Sequence, residues 1–140
     1  MLQLMRLAVN GHEAILPRTA FKDRGYSTDV AESVVALFEA SNREHSIFNI
    51  GPGKSWPLSE WADLLRRRYP NFHWRIADAG EMPNVDCFGD RDRAPLATGR
   101  LTAATGRAAS SDAGTAFADF ITWFHSDRRL FDLMLEEHPR

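Results

Sequence analysis

One cysteine, Cys87, in 140 residues rules out an internal disulfide and leaves no cysteine pair for a structural zinc site, which fits a reducing, cytoplasmic setting. Neither tyrosine has a lysine four residues on: Val30 holds that place after Tyr26 and His73 after Tyr69. An acid–base Tyr/Lys pair on one helical face is therefore excluded. No G-x-G-x-x-G follows an apolar run, so the glycine cradle that seats a pyrophosphate on a helix N-terminus is missing. Gly51-Pro52-Gly53-Lys54-Ser55 has the ending of a phosphate-binding loop, but Phe48 stands where that loop needs its first glycine. Two glycines and a proline turning a strand sharply into a helix account for it better. The histidines His12, His45, His73, His125 and His138 have no metal-ligand spacing and no H-E-x-x-H, and no G-x-S-x-G elbow marks a nucleophile. Catalytic, cofactor-binding and metal residues are thus expected to be absent from this chain.

Long apolar runs are lacking too. The opening Met1–Asn10 stretch is too short to span a bilayer and lacks the basic-then-apolar order of a secretory signal. It reads as a helix cut short, with Leu4, Leu7 and Ala8 on one face and Asn10-Gly11 as its stop. A formal net charge of −2 gives no pull towards nucleic acid or anionic membrane, and Arg66, Arg67 and Arg68 read as a solvated helix face. What is present is enough apolar material, 44% of residues, for one ordinary domain over 1–140.

Along the chain, Glu13 to Leu16 is a short strand closed by Pro17, and the polar stretch through Gly25 is a loop. Asp29 has the position of an N-cap, and Val30, Val34, Leu37 and Phe38 make one apolar stripe on the helix after it. Ile47-Phe48-Asn49-Ile50 is the clearest strand. A helix follows from about Pro57, burying Leu58, Trp61, Leu64 and Leu65 against the sheet and stopping at Tyr69-Pro70. Phe72, Trp74 and Ile76 alternate with polar neighbours as a half-buried strand does. Residues 78–95 form a long loop carrying Cys87, whose thiol reads as incidental. Thr98 to Thr105 makes a short helix ended by Gly106. Phe117, Phe120, Ile121 and Phe124 mark an amphipathic helix capped by Ser110 or Ser111 and continued or re-started through Leu130, Leu133 and Met134. The expected class is α/β, an α+β-like fragment of short strands with four to five helices. Trp56, Trp61, Trp74 and Trp123 are expected in the core or at its rim.

Taken in order, Asp29-Val30-Ala31, Phe48-Asn49-Ile50-Gly51-Pro52-Gly53, Asp90-Arg91-Asp92-Arg93-Ala94 and Ala118-Asp119-Phe120-Ile121-Thr122-Trp123 resemble the second half of the NAD(P)-dependent epimerase/dehydratases, the extended short-chain dehydrogenases. The resemblance runs from about residue 10 to residue 125. It implies a substrate-binding half whose Rossmann portion, with NAD or NADP and a Tyr/Lys pair, lies outside this chain. Its substrate would be a sugar or related polyhydroxy compound. Lys22, Arg93 and Glu81 are the substrate-binding candidates that follow.

Two departures from the family pattern matter. Where the family commonly has an Arg-Asp pair seven residues before the helix-opening aspartate, Lys22-Asp23 stands, and a lysine grips a diphosphate as a point charge rather than a bidentate fork. Where a second arginine precedes Gly-Asp, the stretch is Asp78-Ala79-Gly80-Glu81. A nucleotide-linked sugar fits less well than a smaller or less charged substrate. The residues also have plainer readings: Lys22 and Arg24 as solvated loop charges, Arg93 paired with Asp90 or Asp92, Asn49 as a turn residue. Two other function classes stay open beside the enzyme portion. One is a non-catalytic module that associates with itself or another protein through exposed apolar surface; the other, less favoured, is a stand-alone hydrolase with a dispersed triad.

Overall fold

In chain order the elements are α1 (Leu2–Val9), β1 (Ala14–Leu16), β2 (Phe21–Lys22), α2 (Ser27–Glu39), β3 (Trp56–Pro57), α3 (Leu58–Arg68), β4 (Trp74–Ile76), α4 (Gly99–Thr105) and α5 (Ala113–Ser126). They belong to a computed structural model that describes residues 1–41, 44–87, 91–107, 112–127, 129 and 132. Helices and short strands in two small sheets make this an α/β fold. The chain resolves into two units. The first takes Met1–Ala20, Pro57–Arg91 and Ala113–Arg140, and the second takes Phe21–Trp56 and Asp92–Asp112.

The first unit is built around a parallel pair, β1 with β4, in which Ala14 faces Trp74 and Leu16 faces Ile76. Ala14, Leu16 and Phe72 are fully buried. Helix α1 buries Leu4, Met5 and Ala8, the face its spacing predicts apart from Met5 in place of Leu7. It closes as a Schellman motif: Gly11 N–H donates to Ala8 O at 3.2 Å and His12 N–H to Leu7 O at 2.9 Å. Gly11 has φ 67°, a left-handed conformation that disfavours a side chain. Helix α3 buries Leu58, Trp61, Ala62 and Leu65, as its 3.6-residue period predicts except at half-buried Leu64. Its buried face packs on α1 and α5 rather than on a sheet. Trp61 stands edge-on to Phe117 and Phe120 of α5, with centroids 5.1 and 5.5 Å away. Such pairs add about 0.5–1.5 kcal/mol each beyond area burial.

Asn84, from the long loop, completes this sheet. Its side-chain oxygen accepts the Ile15 N–H at 2.7 Å, its amide donates to Glu13 O at 2.9 Å, and its own N–H donates to Ile15 O at 3.1 Å. One residue thereby stands in for a third strand along the free edge of β1. The loop also buries Val85 and Cys87, so the thiol that the sequence places in a polar loop sits in the core. The caps expected at Ser110 or Ser111, and the continuation through Leu130, Leu133 and Met134, lie outside the described residues.

In the second unit β2 pairs with β3, and α2 packs on α4. Helix α4 ends at Gly106, φ 69°, as its glycine predicts. Three expectations fail here. Ile47-Phe48-Asn49-Ile50 forms no strand among the described residues, because a strand needs a partner and local sequence cannot supply one. The apolar stripe of α2 is only partly covered: Val30 and Leu37 are half-buried, whereas Val34 and Phe38 are 38% and 76% exposed. Only Ser33 is buried on this helix, its hydroxyl donating to Asp29 O at 2.7 Å. Asp29 is not the cap: the helix starts at Ser27, and Asp29 lies inside the first turn, where its charge complements the helix dipole.

Candidate functional site

The loops of the second unit are laced by short polar side chains. Asp92 Oδ1 accepts the Phe21 N–H at 2.9 Å, and Arg93 N–H donates to Phe21 O at 3.1 Å. These bonds bind the 92–93 backbone to β2, so Lys22 and Arg93, 71 residues apart in sequence, spring from one clip. Ser55 Oγ donates to Arg93 O at 2.7 Å, Arg24 to Trp56 O at 3.3 Å, and the Asn49 amide to Ala97 O at 3.1 Å. Asn49 is therefore an inter-segment tie rather than a local turn residue. Asp92, the partner offered to Arg93 by sequence, gives an oxygen to the Phe21 backbone instead; Asp90 lies outside the described residues.

Asp23 explains the first glycine of the Gly51-Pro52-Gly53 turn. Its Oδ2 accepts the Leu96 N–H at 2.6 Å, while its Oδ1 lies so close that a Cβ on Gly51 would stand 3.1 Å from it. At Gly53, φ 66°, a Cβ would meet the Thr98 hydroxyl at 3.0 Å. Both glycines are needed for close approach of the chain's own side chains. The turn is approached closely by the Asp23 and Thr98 side chains.

Glu81, the third sequence candidate, belongs to the first unit. Arg75 grips both of its oxygens, at 2.6 and 2.5 Å, and the Asp78 N–H donates to it at 2.9 Å. Those bonds, the Arg75 pairing foremost, hold the Glu81 carboxyl down at about 2 and push the Arg75 guanidinium upward. Arg75 also reaches Glu13 at 3.3 Å. The cluster fastens the loop after β4 to the strand, so Glu81 has a structural task. Nothing in the spacing of Arg75 and Glu81 announces it, because they lie six positions apart across the turn that follows β4.

A further paired group is Tyr69 with His125, whose Oη and Nε2 are 3.1 Å apart. Burial raises the Tyr69 hydroxyl, against the opposing pull of the Arg68 charge. Of the tryptophans, Trp61 is buried, Trp56 and Trp74 are half-buried and Trp123 is exposed. Among the described residues no cluster of three metal-ligating side chains occurs, and no helix is long and apolar enough to cross a membrane.

An open groove also marks the second unit. Val34, Leu37, Phe38, His45, Ser46 and Phe48 line a volume of about 420 Å³. It adjoins a more polar recess of about 240 Å³ that shares His45 and Phe48 and adds Glu44 and Arg100. Val34, Leu37 and Phe38 belong to the apolar stripe that sequence periodicity puts on this helix.

No protein-family model matches this chain, and no curated protein matches it.

Proposed function

We propose that the chain is the substrate-binding portion of an NAD(P)-dependent epimerase/dehydratase-like oxidoreductase or isomerase acting, in the cytoplasm, on a sugar or related polyhydroxy compound. The observation that carries this reading is the clip that brings Lys22 and Arg93 to one backbone junction, as a ligand with anionic or hydroxyl groups needs. Cation and loop donors there bind and orient; hydride chemistry would come from a nicotinamide held by a Rossmann portion outside the described residues. Glu81 is left out of the binding set because Arg75 occupies it. On this reading the chain works through association, with such a portion or with further copies of itself.

Titration by amide chemical-shift mapping tests the reading, using a plain hexose, a hexose phosphate and a nucleoside-diphosphate hexose. Saturable shifts at the Lys22 and Arg93 amides are expected, strongest with the hexose or its monophosphate, because a lysine replaces the bidentate arginine of the family pattern. Lys22→Ala and Arg93→Ala should each weaken binding about tenfold, as loss of a charged hydrogen bond does. Absence of any shift at both amides with all three ligands would overturn it.

A further inference from the structure

We propose that the apolar groove beside α2 and the polar recess next to it together bind a zwitterion with a flat apolar side group, an aromatic α-amino acid. The residues of this site lie in the second unit and none of them is Lys22 or Arg93, so the inference goes beyond the sugar-binding reading and does not depend on it.

The two hollows differ in chemistry and share a boundary. Val34, Leu37, Phe38 and Phe48 give the groove its apolar lining, and its volume of about 420 Å³ falls within the roughly 300–1,000 Å³ usual for small-ligand sites. Phe38 is 76% exposed, so a ring laid over it removes apolar surface from water. His45 stands edge-on to Phe48, with centroids 6.5 Å apart and planes at 71°. A groove furnished with these rings suits a further ring, since aromatic groups attract in edge-on and offset arrangements. His45 and Phe48 also line the recess, where apolar lining gives way to polar.

The recess holds one charge of each sign. Glu44 and Arg100 both line it, and among the described residues neither side chain makes an ion pair or a hydrogen bond. They share a hollow of about 240 Å³ without neutralising each other. The guanidinium offers a planar fork that fits a carboxylate, and the Glu44 carboxylate accepts from an ammonium. A ligand with a single charge is attracted by one of the two and repelled by the other; a zwitterion satisfies both. An α-amino acid carries both charges and its side group around one carbon, which matches a charged recess that meets an apolar groove at His45 and Phe48. Ser41 adds a hydroxyl to the recess that serves as donor or acceptor. The α2 carboxylates Asp29, Glu32 and Glu39 line neither hollow, and Glu32 is held by Arg107. Exposed charges contribute modestly, so the affinity should be weak, roughly millimolar.

Amide chemical-shift titration of the full chain with L-phenylalanine tests the proposal, beside three probes that each lack one part: phenylpropanoate without the ammonium, phenethylamine without the carboxylate, and glycine without the ring. L-phenylalanine should give saturable shifts at the amides of Phe38, His45, Phe48 and Arg100, and each of the three probes should bind at least about tenfold more weakly. Arg100→Gln should weaken L-phenylalanine about tenfold and bind phenethylamine no less well than the unaltered protein. Glu44→Gln should weaken L-phenylalanine to a similar degree and bind phenylpropanoate no less well. Both side chains are exposed, so the circular dichroism spectrum should stay the same. No saturable shift with L-phenylalanine, binding of any of the three probes as tight as that of L-phenylalanine, or L-phenylalanine binding unchanged in both variants would overturn the proposal. The probe series on the unaltered protein decides the matter should a variant fail to fold. Hexose titration at Lys22 and Arg93 reads the substrate-binding function separately, so either can fail alone.

Discussion

Among the described residues, every buried apolar side chain but one lies in the first unit; Leu101 alone represents the second. The first unit is held by a core: α1, α3 and α5 close on Phe72, Leu65 and Phe124 behind a parallel strand pair. The second is held by polar clips from Asp23, Asp92, Asn49 and Ser55, with an ion pair between Arg107 and Glu32. That pair is half-exposed and so adds little, under about 1 kcal/mol. Elements alone do not make a core. Helix α2 carries an apolar stripe, yet much of that stripe stays exposed even though α4 packs against the helix.

The contrast is easiest to break where the core is densest. Phe72→Ala removes a fully buried ring and should cost about 3–5 kcal/mol in urea unfolding followed by circular dichroism. A cost below about 1 kcal/mol would mean that the first unit has no tight core. Next, Asn84→Ala takes away both side-chain bonds to the β1 edge and leaves the Ile15 N–H in search of an acceptor. About 1–3 kcal/mol of stability should go with it, read by the same unfolding curve.

Glu81 allows a test by pH. Its carboxyl lies at about 2 in the folded protein against an ordinary 4.5, chiefly through Arg75. A depressed value stabilises the fold above 4.5, and that contribution is lost as pH falls from 4.5 through about 2. Thermal midpoints measured over that window should fall less steeply for Glu81→Gln than for the unaltered protein; equal slopes would deny Glu81 its structural task. The smallest effect belongs to the second unit. Phe38→Ala should leave the stability of dilute protein within about 0.5 kcal/mol, although the same substitution type at Phe72 is among the most costly.

What was legible in sequence follows the distinction between local and non-local causes. Helix stops at Gly11 and Gly106, the buried faces of α3 and α5 and the Trp74–Ile76 strand all follow from periods and caps, which act within a few residues. Periodicity also identifies the stripe on α2, but whether a stripe is covered depends on the rest of the fold. Ile47-Phe48-Asn49-Ile50 has strand composition and strand alternation, yet pairing is decided by a partner. The site shows the same division. Lys22 and Arg93 were found as charges in loops, while the bonds that join their backbones cross 71 residues and have no local signature. The pairing of Glu81 with Arg75 has no local signature either, since it arises only when the chain turns back after β4.

Amide hydrogen exchange, resolved by residue, compares the two units directly. The amides of Ile15, Leu65 and Ala77, all bonded within the first unit, should exchange slowly. Those of residues 46–50, which make no backbone hydrogen bond among the described residues, should exchange almost unprotected. If residues 46–50 are as protected as Leu65, the contrast between a cored first unit and a second unit held by polar clips fails.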